Sequence, residues 1–222
     1  MEFIYANELK QKFSVYGHFY DLEIGGTIFK CRSVLEILSK SENLEPSATP
    51  CAVVVMMNPG SSRPVDADYV PKRHSVWEVT SGDWKKHLVP TRPDNAQYQI
   101  MRLMLLKGWT YVRVLNLSDL RNGNSGNFSV DFAQASELDS SSPHSLTHVR
   151  RLQELESCCA DSPIVIAAWG ATEVLREAAG SFLSKIKVRG LSMDYPWYRY
   201  PSPYRKDQKI EWLRNAREEL EA

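Results

Sequence analysis

The stretch Cys51-Ala52-Val53-Val54-Val55-Met56-Met57-Asn58-Pro59-Gly60 decides the fold. Its first seven residues are all apolar, which is typical of a strand buried on both faces and so of a parallel sheet. Its last residues end the strand abruptly, because proline fixes φ and glycine adopts positive φ without a Cβ clash. Binding groups of open α/β folds gather where strands end, so this loop predicts a binding site. A plain turn in which Asn58 bonds its own backbone is the alternative.

The composition narrows the class of protein. The chain has 222 residues, 43% of them hydrophobic, which is enough for a sizeable core. Its 27 basic and 27 acidic residues cancel, so a nucleic-acid partner requires a local site. The N-terminus has neither the basic start nor the apolar stretch of a secretory signal, and no apolar run approaches membrane-spanning length. We therefore expect a cytoplasmic protein with no membrane partner.

The chain is predicted to contain two units. Residues 1–48 form an N-terminal extension, in which alternating runs on either side of Gly25-Gly26 predict a β-hairpin. A short helix is predicted around 34–39. The polar stretch 41–50 connects this extension to a main domain over 49–222.

Strands and helices alternate in the main domain. Strands are predicted at 51–57, 110–115, 164–169 and 187–193, and helices at 91–107, 146–159 and 207–220. Thr91 is the predicted cap of the first helix, and Gly108 its end. The pattern predicts an α/β fold of three layers, in which helices cover a mainly parallel four-stranded sheet. The loop 58–90 is too long for a plain connection and is predicted to be functional.

Two later segments carry groups suited to nucleobases. Asn116 ends the second predicted strand, and an asparagine amide can read both a donor and an acceptor on a base edge. The segment 195–206 interleaves aromatic rings with basic groups, which stack on bases and hold phosphates. A packing role for these aromatic residues is an equally weighted alternative.

No metal or cofactor is predicted. His144 and His148 lie four residues apart, but no companion acidic or thiol motif supplies further ligands, so a solvated helix start is favoured. The four cysteines lack paired C-x-x-C spacing, and we expect buried, reduced thiols. The chain also lacks a lysine-bearing phosphate loop, and Gly123-Asn124-Ser125-Gly126 is not the strand-to-helix elbow of hydrolases.

The order of these motifs resembles the uracil-DNA glycosylase superfamily over about 51–220. Met57-Asn58-Pro59-Gly60 looks like the first motif of its single-strand-selective and mismatch-specific branches. Val112-Arg113-Val114-Leu115-Asn116 looks like the central strand, whose terminal asparagine contacts the base. The segment 164–170 is similar to the family's apolar-Trp-Gly segment, and Pro201-Ser202-Pro203 looks like the H-P-S-P loop that presses into the minor groove.

The residues of these motifs resemble more closely those of an uncharacterised bacterial family of unknown function. That family has a Met-Leu-Asn-Pro-Ser/Gly motif, a strand ending in Val-Asn-Leu and an Ala-Trp-Gly segment. Here the corresponding residues are Met56-Met57-Asn58-Pro59-Gly60, Val114-Leu115-Asn116-Leu117 and Ala168-Trp169-Gly170. We expect membership of this family, with a glycosylase-like fold.

The resemblance implies that a nucleobase, nucleotide or nucleic acid binds in a cleft at the carboxyl ends of the strands. Asn58 would position water or ligand and Asn116 would read the base edge. Tyr204 with Arg205 would take the place of the strand-inserting wedge, and Tyr69 or Trp77 would supply a stacking ring. The other implied contacts are Met57, Pro59, Gly60, Ser61 and Ser202.

One departure from the glycosylases affects the predicted chemistry. Base excision needs a donor near the base oxygen and a positioned water. Tyr200 stands where the histidine of H-P-S-P would be, so it becomes the second catalytic candidate beside Asn58. No aspartate flanks Asn58, although Asp66 and Asp68 follow in the loop. Two alternatives remain open: a noncatalytic nucleic-acid or protein interaction module, and an enzyme acting on small nucleotides.

Overall fold

The computed structural model describes residues 2–42, 49–79, 83–160 and 162–221, except for the side chain of residue 83. Its strands are β1 (Phe13–Ile24), β2 (Thr27–Ser39), β3 (Ala52–Met56), β4 (Arg63–Pro64), β5 (Lys72–Ser75), β6 (Val89–Arg92), β7 (Tyr111–Asn116) and β8 (Val165–Ala167). Its α-helices are α1 (Ala6–Lys12), α2 (Asn95–Lys107), α3 (Ser125–Leu138), α4 (Leu152–Ala160), α5 (Arg176–Leu183) and α6 (Lys206–Glu221). Short 3₁₀ helices cover Asp83–His87, Val149–Arg151 and Glu173–Leu175.

The described strands form one mixed sheet in the order β4-β6-β1-β2-β7-β3-β8, with β5 paired to β1. The pairs of β3 with β7 and with β8 are parallel, whereas β2 pairs with both β1 and β7 in antiparallel fashion. The α/β class is therefore confirmed. The prediction of a mainly parallel sheet of four strands was wrong, because it covered only β3, β7 and β8 of an eight-stranded sheet whose other pairs are mostly antiparallel.

The N-terminal hairpin supplies two further strands, β1 and β2, and residues 63–92 supply β4, β5 and β6. Its turn is at Gly25-Gly26, both with positive φ, as predicted, but the strands on either side are much longer than the sequence indicated. The helix predicted around 34–39 was wrong, because β2 lies between β1 and β7 and its apolar run is buried on both faces. The division between 1–48 and 49–222 stays a prediction, and residues 43–48 at that boundary lie outside the described residues.

The fourth predicted strand is reduced to one parallel bridge. Arg189 pairs with Ile166 beside β8, and its backbone bonds both Val165 and Ala167. Helices cover both faces of the sheet. One apolar core contains residues of α3, α4 and α5, and the other contains residues of α1, α2 and α6. A sheet that is apolar on both faces has to bury both, which explains the layers.

Helix α2 begins later than predicted and is fixed by a capping box. Asp94, and not Thr91, is its N-cap: Asp94 Oδ1 accepts from the backbone of Ala96 and Gln97, and the Gln97 side chain bonds back to the N-cap backbone. Thr91 belongs to β6 instead. Gly108 ends the helix in the left-handed conformation at φ 65°, as predicted.

A buried ion pair joins the hairpin to the parallel strands. Glu36 on β2 lies directly opposite Arg113 on β7, and Glu36 Oε1 accepts from Arg113 Nε at 3.0 Å. The Tyr111 hydroxyl donates to the same oxygen at 2.6 Å. Glu36 is fully buried and Arg113 is 4% exposed, so each charge depends on the other for solvation. In the part of the chain that the structure describes, no helix is long and apolar enough to cross a membrane.

We predict that Glu36→Gln lowers the free energy of unfolding by about 3–5 kcal/mol, because it removes the buried negative charge that faces the Arg113 guanidinium. Chemical denaturation measures this. The matched control is Glu173→Gln, which removes a carboxylate that pairs with Arg176 at the surface and should leave stability almost unchanged, because solvent screens an exposed pair. Equal effects of the two substitutions would contradict the prediction.

Candidate functional site

The loop after β3 is locked to the loop after β7 by the predicted site residue Asn58. Asn58 is 8% exposed, and its Nδ2 donates to the carbonyl oxygens of Leu120 at 3.3 Å and Asn122 at 2.8 Å. Both amide protons of Asn58 are therefore used inside the protein. A role in positioning water or ligand stays a prediction, and in this conformation it falls to the amide oxygen.

Asn116 is fully buried at the end of β7 and bonds within the protein as well. In the orientation that satisfies its surroundings, its amide nitrogen donates to the Asn58 carbonyl at 2.9 Å, and its oxygen accepts from Arg32 Nη2 at 3.2 Å. Reading a base edge would require these bonds to be exchanged. That role stays a prediction, while the bonds observed hold the two strand ends together.

Arg32 of β2 is the residue beneath this junction, and the sequence analysis missed it. Its side chain is fully buried and donates to the Pro59 carbonyl at 3.3 Å and to Ser62 Oγ. Its backbone nitrogen donates to the Asp119 carbonyl at 2.9 Å. Burial lowers the pKa of Arg32 to about 10, which still leaves it charged at neutral pH. The sequence signal was a cation shortly before the apolar run of β2.

The loop Met57-Asn58-Pro59-Gly60 and the loop Tyr200-Pro201-Ser202-Pro203 approach each other at Asp94. Gly60 has φ 67°, and a Cβ there would collide with Asp94 Oδ2. Burial raises the pKa of the Tyr200 hydroxyl, and the nearby charge of Asp94 raises it further. Thr172 Oγ1, beyond β8, lies 3.0 Å from Met57 Sδ. The structure therefore brings Met57, Gly60 and Tyr200 to one end of the parallel strands.

The remaining predicted residues lie around this junction. Pro59 is buried and Ser61 is exposed on the rim. The Ser202 hydroxyl is buried and has no hydrogen-bond partner in the described part of the chain. Tyr204 is 99% exposed, and Arg205 bonds Asp207 at the start of α6. These last residues are available to a partner, but they do not line the junction of the loops.

A cavity of about 280 Å³ lies on the other side of the loop after β7, at the open face of the hairpin. Its walls combine aromatic and ionisable side chains from β1, β2, β5, the 3₁₀ helix Asp83–His87 and the start of α4. We call it the acid–histidine cavity. It is lined by His18, Phe19, Tyr20, Ser33, Tyr69, Lys72, His74, Glu78, Val79, Trp84, His87, Asp119, Arg151 and Glu154.

Asp119 is the central group of the acid–histidine cavity. Its Oδ2 accepts from the Tyr20 hydroxyl at 2.7 Å and from Arg151 Nη1 at 2.6 Å, while Arg151 also binds both oxygens of Glu154. Asp119 Oδ1 is buried and has no hydrogen-bond partner among the described residues. Burial raises the pKa of Asp119 to about 7, against the opposing effect of Arg151. A carboxyl group poised at this pH is suited to acid–base chemistry.

Three histidines line the same cavity. His18 Nδ1 lies 2.7 Å from Ser33 Oγ, and the His18 ring stacks on Tyr20 at 5.7 Å between centroids. Burial lowers the pKa of His18 to about 4, with further contributions from His87, His74 and Arg151, so its imidazole is neutral at pH 7. His74 Nδ1 is buried and lacks a hydrogen-bond partner in the residues described.

The arrangement does not make a metal site. Among the described residues, no group of three or more His, Cys, Asp or Glu side chains is placed to hold a metal ion. The prediction that His144 lies at a solvated helix start was wrong. His144 is 3% exposed, and its Nδ1 lies 3.1 Å from Ser118 Oγ. His148 instead caps the 3₁₀ helix Val149–Arg151.

The acid–histidine cavity was not found from the sequence, although weak signals were present. Polar His18 and Ser33 lie within the two strands of the predicted hairpin, and Asp119 follows the candidate Asn116 by three residues. The hairpin was treated as an appendage, so its side chains were not combined with those of the main domain. Comparisons with protein-family models, curated proteins and solved structures found no match.

We predict that Gly60→Ala destabilises the protein by about 1–3 kcal/mol more than Gly108→Ala. Both glycines have positive φ, near 67° and 65°, so both substitutions carry a similar backbone strain. Only the methyl group at position 60 meets Asp94, whereas position 108 has open space. Thermal and chemical unfolding measure the difference. Equal losses would show that the close approach to α2 contributes nothing.

We predict that His144→Gln flattens the rise in stability between pH 4 and pH 7. Burial lowers the pKa of His144 to about 4, below its ordinary 6.5, so the unfolded chain takes up the proton first. The contribution is complete above pH 6.5 and is lost as the pH falls towards 4. It amounts to roughly 3 kcal/mol. Denaturation of both proteins across this range, compared as a difference, tests the prediction, which an unchanged pH slope would contradict.

Proposed function

We propose that this chain binds a nucleobase or nucleoside in the acid–histidine cavity and hydrolyses an N-glycosidic bond there. The observation that carries the proposal is Asp119: it lines an aromatic-walled cavity, its Oδ1 lacks a partner among the described residues, and its pKa is about 7. Buried polar groups are nearly always satisfied, so an unsatisfied carboxylate oxygen in a cavity is a candidate contact for a ligand.

The size and walls of the cavity favour a small planar ligand. Small-molecule pockets usually span about 300–1,000 Å³, so a volume near 280 Å³ suits a base or nucleoside better than a longer nucleic-acid segment. Tyr69 supplies a ring face on which a base can stack, and Trp84 adds an apolar wall. Lys72 and the histidines supply donors for base or sugar oxygens. These features support an enzyme acting on small nucleotides over one that acts on duplex DNA.

The groups present are those that hydrolysis of an N-glycosidic bond requires. The sugar becomes oxocarbenium-like while negative charge develops on the departing base. Water bonds to the anomeric carbon as the carbon–nitrogen bond breaks, and ionised Asp119 accepts the water proton at Oδ1. His18, with Nδ1 accepting from Ser33, donates a hydrogen bond from its other nitrogen to the departing base. The proton that Asp119 removed from water then passes through solvent to that base, so that water is added across the broken bond and Asp119 is ionised again.

This proposal is compatible with the expected relationship to the uracil-DNA glycosylases and the uncharacterised bacterial family. It places the catalytic groups in the acid–histidine cavity and not at the loop junction. In the glycosylase-like assignment, Asn58 and Tyr200 would act at the loop junction. The observed bonds of Asn58 and Asn116 favour a structural role for them, and Asp94 at the junction is used by the cap of α2, whereas the acid–histidine cavity offers an aspartate together with histidines. The loop junction then forms the neighbouring wall, through the bonds between Asn58 and the loop carrying Asp119.

The noncatalytic alternative is supported by a different surface. Tyr204 is 99% exposed and is followed by Arg205 and Lys206, which suits a nucleic-acid or protein partner. A module of this kind would bind oligonucleotides through this segment and would release no base. The same experiment separates it from the enzyme.

We predict that Asp119→Asn lowers base release by at least about 100-fold, because it removes the proton acceptor. The assay incubates protein with nucleosides, and with single-stranded and duplex oligonucleotides carrying uracil, hypoxanthine or a mismatch, and measures the released base by chromatography. In the wild type the rate should rise with pH through about 7, as Asp119 ionises. A thermal-shift titration with free bases measures binding separately.

Matched variants locate the site. Asp194→Asn removes the same charge from an exposed position and should leave the rate unchanged. Asn58→Ala and Tyr200→Phe should lower the stability of the protein and have only a small effect on the rate of base release. If these two abolish release while Asp119→Asn does not, the site is the loop junction and the proposal is wrong. Oligonucleotide binding without release from any substrate would overturn the enzyme and favour the interaction module.

A further inference from the structure

A second concave surface lies on the opposite face of the sheet, between β1, β4, β6 and the start of α2. Its volume is about 670 Å³. We call it the basic groove, and it is lined by Lys10, Phe13, Val15, Ser61, Arg63, Val65, Thr91, Arg92, Pro93, Tyr98 and Met101. Three of these side chains are cations, and no acidic side chain lines the groove in the described part of the chain. In a chain of zero net charge, this is a strong local imbalance.

The arginines of the basic groove are placed against the usual rule for strand pairs. Arg63 of β4 and Arg92 of β6 are directly opposite in an antiparallel pair, so their side chains project from the same face. Like charges in this arrangement repel and destabilise the pair. Both side chains are exposed, so neither fills the core, and the bond of the pair observed among the described residues is that of Arg92 Nη2 to the Val65 carbonyl at 3.3 Å. A local feature that costs stability without a packing benefit is expected at a functional site.

The other members of the groove complete an anion site. Lys10 of α1 lies with Nζ 5.9 Å from the centre of the Tyr98 ring, which places a third cation over the groove floor. Ser61 adds a hydroxyl group, whereas the Thr91 hydroxyl already donates to the Val89 carbonyl at 2.9 Å, and Phe13, Tyr98 and Met101 form an apolar floor. The carboxylate nearest in sequence, Asp94, is already used by the cap of α2 and faces Arg32.

We propose that the basic groove binds a phosphate group of a nucleotide, with Arg63 and Arg92 as its two guanidinium ligands and Lys10 as a third cation. Paired guanidinium groups match the geometry of phosphate oxygens and form short, charge-assisted hydrogen bonds. A bound dianion also removes the repulsion between the two arginines. The apolar floor suits the remainder of a nucleotide better than free phosphate alone. This site is independent of the acid–histidine cavity and of its proposed function.

Binding to the full chain in phosphate-free buffer tests the proposal. Calorimetric titrations with inorganic pyrophosphate, a nucleoside monophosphate and a short oligothymidylate separate free phosphate, nucleotide and nucleic-acid backbone as sources of the anion. We expect Arg63→Gln to weaken binding of the nucleoside monophosphate by roughly tenfold, and a rise in salt to weaken binding to the wild type. Arg214→Gln removes the same charge from an exposed position on α6 and should have no effect.

The stability of the variants separates a binding role from a structural one. Because Arg63→Gln removes a like-charge contact, its unfolding midpoint should equal or exceed that of the wild type while anion affinity falls. A lower midpoint would make the arginine structural and would contradict the proposal. Equal weakening by Arg214→Gln, or no saturable binding of any of the three anions at low salt, would overturn it. Inorganic pyrophosphate has no base for the acid–histidine cavity, so its binding to the basic groove, weakened by Arg63→Gln, should persist even if the proposed function fails.

Discussion

The buried guanidinium of Arg32 is the constraint on which the arrangement of the strand ends depends. Burying a positive charge away from solvent is costly unless hydrogen-bond acceptors surround it. The acceptors of Arg32 are supplied by the loop after β3 and by Asn116. Its backbone also bonds the loop after β7 at Asp119. One residue of the hairpin therefore organises the ends of two parallel strands, which explains why the hairpin lies inside the sheet and not beside it.

The same constraint explains why the expected binding groups are occupied. Asn58 and Asn116 have the right chemistry to contact a base, but their amides form the bonds that close the junction around Arg32. A side chain that can still accept a hydrogen bond from a ligand lies in the loop after β7. There Asp119 bonds Tyr20 of β1 and lines the acid–histidine cavity together with His18. A scaffold of satisfied polar groups next to a cavity with an unsatisfied one is the arrangement expected of a preorganised site.

Sequence patterns predicted the elements whose signals are local. The apolar run before Met57, the Gly25-Gly26 turn and the stop at Gly108 each depend on neighbouring residues, and each was placed correctly. The stretch 34–39 was not, because a short apolar run suits a buried helix as well as a buried strand. Only pairing with β1 and β7 decides between them. The same holds for Glu36, whose charge is explained by Arg113, far away in the chain.

By itself, the sequence determined that this is an α/β protein, with strand ends that carry polar loops and a hairpin at its start. These follow from hydrophobic periodicity and from the special backbone of proline and glycine, which act over a few residues. Only the tertiary structure decided which polar groups are satisfied by one another and which face a cavity. Burial and hydrogen bonding depend on residues brought together from β1, β2, β7 and α4, and so Asp119 could be distinguished from Asn58 only in the folded chain.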